Sequence, residues 1–167
     1  MISDLSLTLR ALLTQPGLPA ELAAAQIVFD RPSEQFTPTQ TSVDLFLYDI
    51  REDRDFVAGS ASGGGSVRPF ACTYLVTAWP VGGPELALQE QQLLGDVLQV
   101  LAAHPSIPPR FLQGSLAGHD PPPQVLVMHP DALKNTAEFW TSLGSKLRPS
   151  LSVTVTIKLP ALAGGPG

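Results

Sequence analysis

Residues 135–159, NTAEFWTSLGSKLRPSLSVTVTIKL, constrain the fold most, because their periodicity changes from helical to extended across Arg148-Pro149. Ala137, Trp140, Leu143 and Leu147 recur at three- and four-residue spacing, which gathers them on one side of a helix. Asn135 is placed to cap it, with Glu138 three residues on. Pro149 has no amide hydrogen and drives Arg148 out of helical geometry, so the helix ends before it. Beyond the proline, Leu151, Val153, Val155, Ile157 and Leu159 alternate with Ser152, Thr154, Thr156 and Lys158, the pattern of a half-buried strand.

The remaining segments are placed around that pair. Leu5, Leu9, Leu12 and Leu13 form the apolar stripe of a first helix, capped by Ser3 or Asp4 and closed by Pro16-Gly17. Residues 26–30 read as a brief strand ended by Arg31-Pro32. In 42–50, Val43, Leu45 and Leu47 share one face of a strand, and Asp44, Phe46 and Tyr48 share the other. Residues 70–79, FACTYLVTAW, lie between two prolines and are rich in aromatic and β-branched types, as expected of a central strand beside 42–50. The connection between them carries mixed charges and then a glycine-serine tract, 58–66, that reads as a mobile loop.

Residues 85–103 place Leu86, Leu93, Leu94, Val97, Leu98 and Leu101 at helical spacing, giving the longest helix, which His104-Pro105 ends. Residues 105–123 are too rich in proline for more than a turn or two, and 124–129 form a short strand. The order of elements specifies one α+β domain over 1–160, with two to three helices on a mixed or antiparallel sheet of four to five strands. Residues 161–167 read as a flexible tail.

A chain of 167 residues is long enough to bury about 70% of its unfolded surface in one domain. It is 44% hydrophobic but only 15% charged, so its surface leaves room for extensive protein contact. A net charge of −5, with 10 Lys and Arg and no basic cluster, argues against a phosphate-backbone binder. The start MISDLSLTLR has no basic leader pattern, and no run approaches 18 uninterrupted apolar residues, so membrane insertion is not expected and folding in the cytosol is. Cys72 stands alone and inside an apolar run, which makes it a core residue and rules out a disulfide framework.

No catalytic constellation emerges, and no metal or cofactor is called for. His104, His119 and His129 match no compact zinc spacing and read as solvated or locally bonded. Asp49, Glu52, Asp53 and Asp55 are interleaved with Arg51 and Arg54 and lack the calcium-loop glycine, so a solvated charged loop is the expectation. Gly63-Gly64-Gly65 is followed by a strand rather than by the helix that a phosphate loop needs, and no GxSxG elbow occurs. Phe139 and Trp140 are expected to pack between the last helix and the sheet, although exposed they would make binding anchors. Trp79, at a strand end, suits either role.

Four blocks in order, VDLFLYDIRED at 43–53, RPFACTYLVTAWP at 68–80, EQQLLGDVLQVLAAHPSIPP at 90–109 and AEFWTSLGSKLRPSLSVTVTIKL at 137–159, resemble the Pvc16 N-terminal-domain family. The order and spacing of the blocks carry the resemblance, which spans nearly the whole chain. It implies a tail-terminator-like fold and a structural cap of a contractile injection system, without enzymatic activity. Such a cap forms a homohexameric ring on the inner tube, stops its elongation and anchors the last sheath layer of a phage-tail-like particle, assembled in the cytoplasm and in some cases released. The partners expected are further copies of the chain, the tube protein and the sheath protein. Arg51, Arg54, Arg68 and Arg148 are the candidate assembly contacts, and the last strand offers its edge if that edge is free. The alternative is a small-molecule-binding or hydrolytic domain built on the His119 loop.

Overall fold

The computed structural model describes residues 1–53, 68–128 and 136–159. Its centre is a five-stranded mixed sheet in the order β1-β2-β3-β5-β4, formed by Gln26–Val28, Ser42–Glu52, Arg68–Trp79, Leu151–Leu159 and Gln124–Val127. β1 runs parallel to β2, and every other pair is antiparallel. The aromatic and β-branched run 70–79 does occupy the middle of the sheet, with β2 on one side and β5 on the other.

Four α-helices complete the described fold: α1 (Ile2–Leu13), α2 (Ala20–Ala24), α3 (Leu86–Ala102) and α4 (Thr136–Ser142). This is one more than expected: the five-residue α2 lies in the Pro- and Ala-rich segment between the first helix and the first strand. The main core joins Leu5, Leu9, Leu12 and Leu13 of α1 and Leu93, Val97 and Leu101 of α3 to Val43, Tyr74, Val153 and Val155 of the sheet. Leu86 and Leu98 lie on the exposed side of α3, off the stripe assigned to them. Two short 3-10 turns, Pro109–Phe111 and Gly114–Leu116, line the proline-rich connection. They hold it to α1, where Gln113 N–H donates to Thr8 Oγ1 over 3.0 Å. Asp4 therefore serves as an acceptor for Ser115 rather than as a helix cap.

The second face of the sheet is covered as well. Trp140 of α4 is 1% exposed yet stands apart from the main core, while Phe139 meets Tyr48 edge-on at 5.3 Å. Helix α4 is shorter than its sequence pattern suggests. Gly144 adopts φ +68°, and the Gly144 and Ser145 amides bond to the Thr141 and Trp140 carbonyls, which ends the helix at Ser142, seven residues before Pro149. Leu147 consequently projects to solvent at 65% exposure instead of joining the stripe. Asn135, the expected cap, lies outside the described residues, as do the glycine-serine tract and the tail.

The alternation in β2 breaks where sequence periodicity reads through: the pairing shifts between Leu47 and Asp49, so Tyr48 is a bulge residue. In β5, Ser152 and Thr154 are buried rather than solvent-facing, because β3 and β4 flank the strand and α4 helps cover its second face. The edges of the sheet are β1 and β4, so the last strand has no free edge to offer.

Candidate assembly surface

The cationic side chains are not gathered in one place. Arg51 and Arg68 lie at the end of the β2–β3 ribbon where Arg51 pairs with Ala71, and Arg68 begins β3 opposite Leu159. Arg148 is at the other end, bonded to Ala78. Seven residues of β3 separate Ala71 from Ala78, which is about 23 Å along a strand. Arg51 is 71% exposed and donates from Nε to Asp49 at 2.6 Å. Arg54 lies outside the described residues.

Arg148 makes three contacts to two elements, β3 and α3. Its Nη2 donates to the Ala78 carbonyl at 3.1 Å and to Glu90 of α3 at 2.7 Å. Its Cζ lies 3.7 Å from the centre of the Trp79 ring, a cation–π contact. Phe36 meets the same indole edge-on at 4.9 Å. These groups form the floor of an open groove of about 500 Å³, rimmed by Val81, Leu86 and Leu147, each exposed, and by Pro38, Pro80 and Pro149. Sequence reading singled out Arg148 and Trp79 separately but missed that Glu90 and Phe36 join them. The prolines flanking strand ends at 80 and 149 were the available signal.

The chemistry-bearing residues are engaged in structure. His119 Nδ1 lies 2.9 Å from the Pro121 carbonyl, and Nε2 lies 3.0 Å from the carbonyl and 3.1 Å from the amide of Lys158. Both ring nitrogens thus bind main chain, so the imidazole is not a free base, which weighs against the hydrolytic alternative. His104 Nδ1 sits 2.7 Å from the Val100 carbonyl, and His129 lies outside the described residues. Among the described residues no three His, Cys, Asp or Glu side chains are placed to hold a metal. Asp53 accepts from Thr156 at 3.3 Å, and Asp55 lies outside the described residues. Cys72 is buried in β3, and burial pushes its thiol up to about 11.

Two acids are buried among the described residues, Asp44 in β2 and Asp96 in α3, and the first is the more enclosed. Asp44 is 0% exposed, opposite Thr77, and its Oδ1 accepts the Asp30 amide at 2.8 Å while Oδ2 has no hydrogen-bond partner. Burial pushes its carboxyl up to about 8, partly offset by the Asp30 bond. Alternation puts Asp44 on the face of Phe46 and Tyr48, whose aromatic side chains are the sequence signal that this face is covered.

The fold defined by this sheet and its helices is that of tube terminators. Over 98% of the chain it is similar to the sheath/tube terminator, in its extended state, of an extracellular contractile injection system, PVC, with 25% identity and a TM-score of 0.72. It is likewise similar to the tube-terminating cap of the anti-feeding prophage, over 99% of the chain, with 23% identity and a TM-score of 0.70. No curated protein matches. The chain spans 58% and 57% of the lengths of those two solved chains. The sequence profile of the Pvc16 N-terminal domain matches residues 4–162, and the chain belongs to that family.

Proposed function

We propose that this chain acts as a cap of a contractile, phage-tail-like particle, forming a ring of six copies on the end of the inner tube. There it stops tube addition and anchors the last sheath layer. The observation that carries this reading is the likeness, over almost the whole chain, to a protein described as a sheath/tube terminator. The chemistry is consistent with it: His104 and His119 are tied to main chain and the cysteine is buried, as suits a structural rather than an enzymatic part.

Within the ring, Arg51 and Arg68 belong to the sheet end that we assign to contact with tube or sheath, and Arg54, outside the described residues, is assigned the same role on its sequence position alone. Arg148 supports the Trp79 groove at the other end, where exposed Val81, Leu86 and Leu147 suit contact between neighbouring copies. A closed ring requires two different surfaces that meet around an axis. Assembly takes place in the cytoplasm, before any release of the particle. The test is a mass measurement on the purified chain, alone and mixed with tube subunits. A ring, alone or on the tube, is expected; a strict monomer with no affinity for the tube contradicts the reading.

A further inference from the structure

The two edges of the sheet are treated differently. The outer side of β4 is closed by the chain itself: Ser106 bridges to Gln124, Val125 N–H donates to the Pro105 carbonyl at 2.8 Å, and Ile107 N–H donates to the Pro123 carbonyl at 3.0 Å. Among the described residues the outer side of β1 has no such cover. Gln26 N–H donates to the Thr41 carbonyl on the β2 side, and amide direction alternates along a strand, so the N–H and C=O of Ile27 point outward. Neither group has a partner among the described residues. In front of them lies an open trough of about 530 Å³ that runs along residues 25–30, with Arg10 and Thr14 of α1 as its wall.

Natural sheets blunt an exposed edge with a very short strand, a lysine, a proline or a covering segment; β1 is short, at three residues, but Gln26-Ile27-Val28 carries no charge and no proline. The edge is also held in place, since the Ile27 side chain is buried in the main core and Asp30 N–H is fixed by Asp44. A preformed edge beside a trough is the geometry of strand addition, where main-chain bonds give affinity and flanking side chains give selectivity. We propose that β1 is a strand acceptor, taking an extended segment of a partner protein into this trough with an acidic side chain set against Arg10.

The trough carries one cation, Arg10, on the helix side and one acid, Asp30, on the strand side, and a partner acid suits the Arg10 side. Arg10 lies over the Phe29 ring at 4.6 Å and has no ion pair among the described residues, so it offers a cation at the trough. A second copy fits poorly. Its β4 edge is covered, and pairing β1 with β1 brings two Arg10 walls into one interface and closes a two-fold dimer rather than a ring. The inference goes beyond the cap reading and does not depend on it.

The test selects binders for the intact chain from a phage-displayed library of random peptides, and maps them by amide hydrogen exchange. The expected winners alternate β-branched residues, carry an acid and slow exchange at the Ile27 amide. Arg10→Glu, an exposed change, should weaken them about tenfold and favour basic peptides instead. Ile27→Pro removes the outward amide together with a buried side chain, and Ile27→Ala removes the side chain alone, so the proline variant should abolish binding and the alanine variant should keep it where circular dichroism shows both folds retained. Three results overturn the proposal: no peptide enriched, protection confined to amides away from β1, or Ile27 protection that rises with protein concentration alone as the mass doubles. The last makes a second copy the occupant.

Discussion

Arg148 stacks on Trp79 at 3.7 Å while donating to Glu90, so one side chain ties the start of β5 to the end of β3 and to α3. Arg148→Ala removes the stack, the ion pair and the bond to Ala78 together and should destabilise the chain by about 1–3 kcal/mol. Lysine should not restore it, because a point charge reproduces neither the planar stack nor the divided donors. Denaturant unfolding of the three proteins checks both statements.

Asp44 makes stability depend on pH. Its folded pKa, about 8, stands above the ordinary value of 3.8, so between those values the folded chain holds a proton that the unfolded chain releases. Stability therefore falls as pH rises through this window and levels off above it, by up to about 1.4 kcal/mol per pH unit. Asp44→Asn keeps an oxygen for the Asp30 amide and should remove most of that slope. Urea midpoints measured from pH 5 to about 9 for both proteins test the sign.

Trp140 anchors the covering of the second face. Trp140→Ala should cost about 3–5 kcal/mol. Because the buried Nε1 has no hydrogen-bond partner, Trp140→Phe keeps most of the bulk without stranding a donor and should cost less than about 1.5 kcal/mol. Thermal or denaturant melts of the pair distinguish core packing from an assembly role. A small loss in the alanine variant together with failed ring formation would move Trp140 to the interface.

Cys72 sits at the centre of β3 with its thiol pushed up to about 11 by burial. In the native chain at neutral pH it should resist a thiol-reactive dye, and in denaturant it should react fully. Rapid native labelling would contradict the burial.

Sequence pattern carried β5, β3 and α3 nearly to their ends, because alternation, prolines and heptad-like leucines are local signals. It failed where the decisive partner was remote. Ser152 and Thr154 look solvent-facing in alternation and are buried because β4 crosses to the far side of β5 and α4 helps cover their face. Leu147 looks like the last residue of an apolar stripe and is exposed because Gly144 turns the chain first. For the assembly surface, residue types were legible and their grouping was not. Arg51 and Arg148 occupy opposite ends of one ribbon, and the free edge at Ile27 follows from pairings that no residue type announces.

The central claim is that this chain terminates a tube. Particles produced with and without it, imaged by negative stain, test that most directly. The account predicts tubes of uncontrolled length with sheath detached at the free end when the chain is missing. Tubes of normal length with sheaths attached would contradict it.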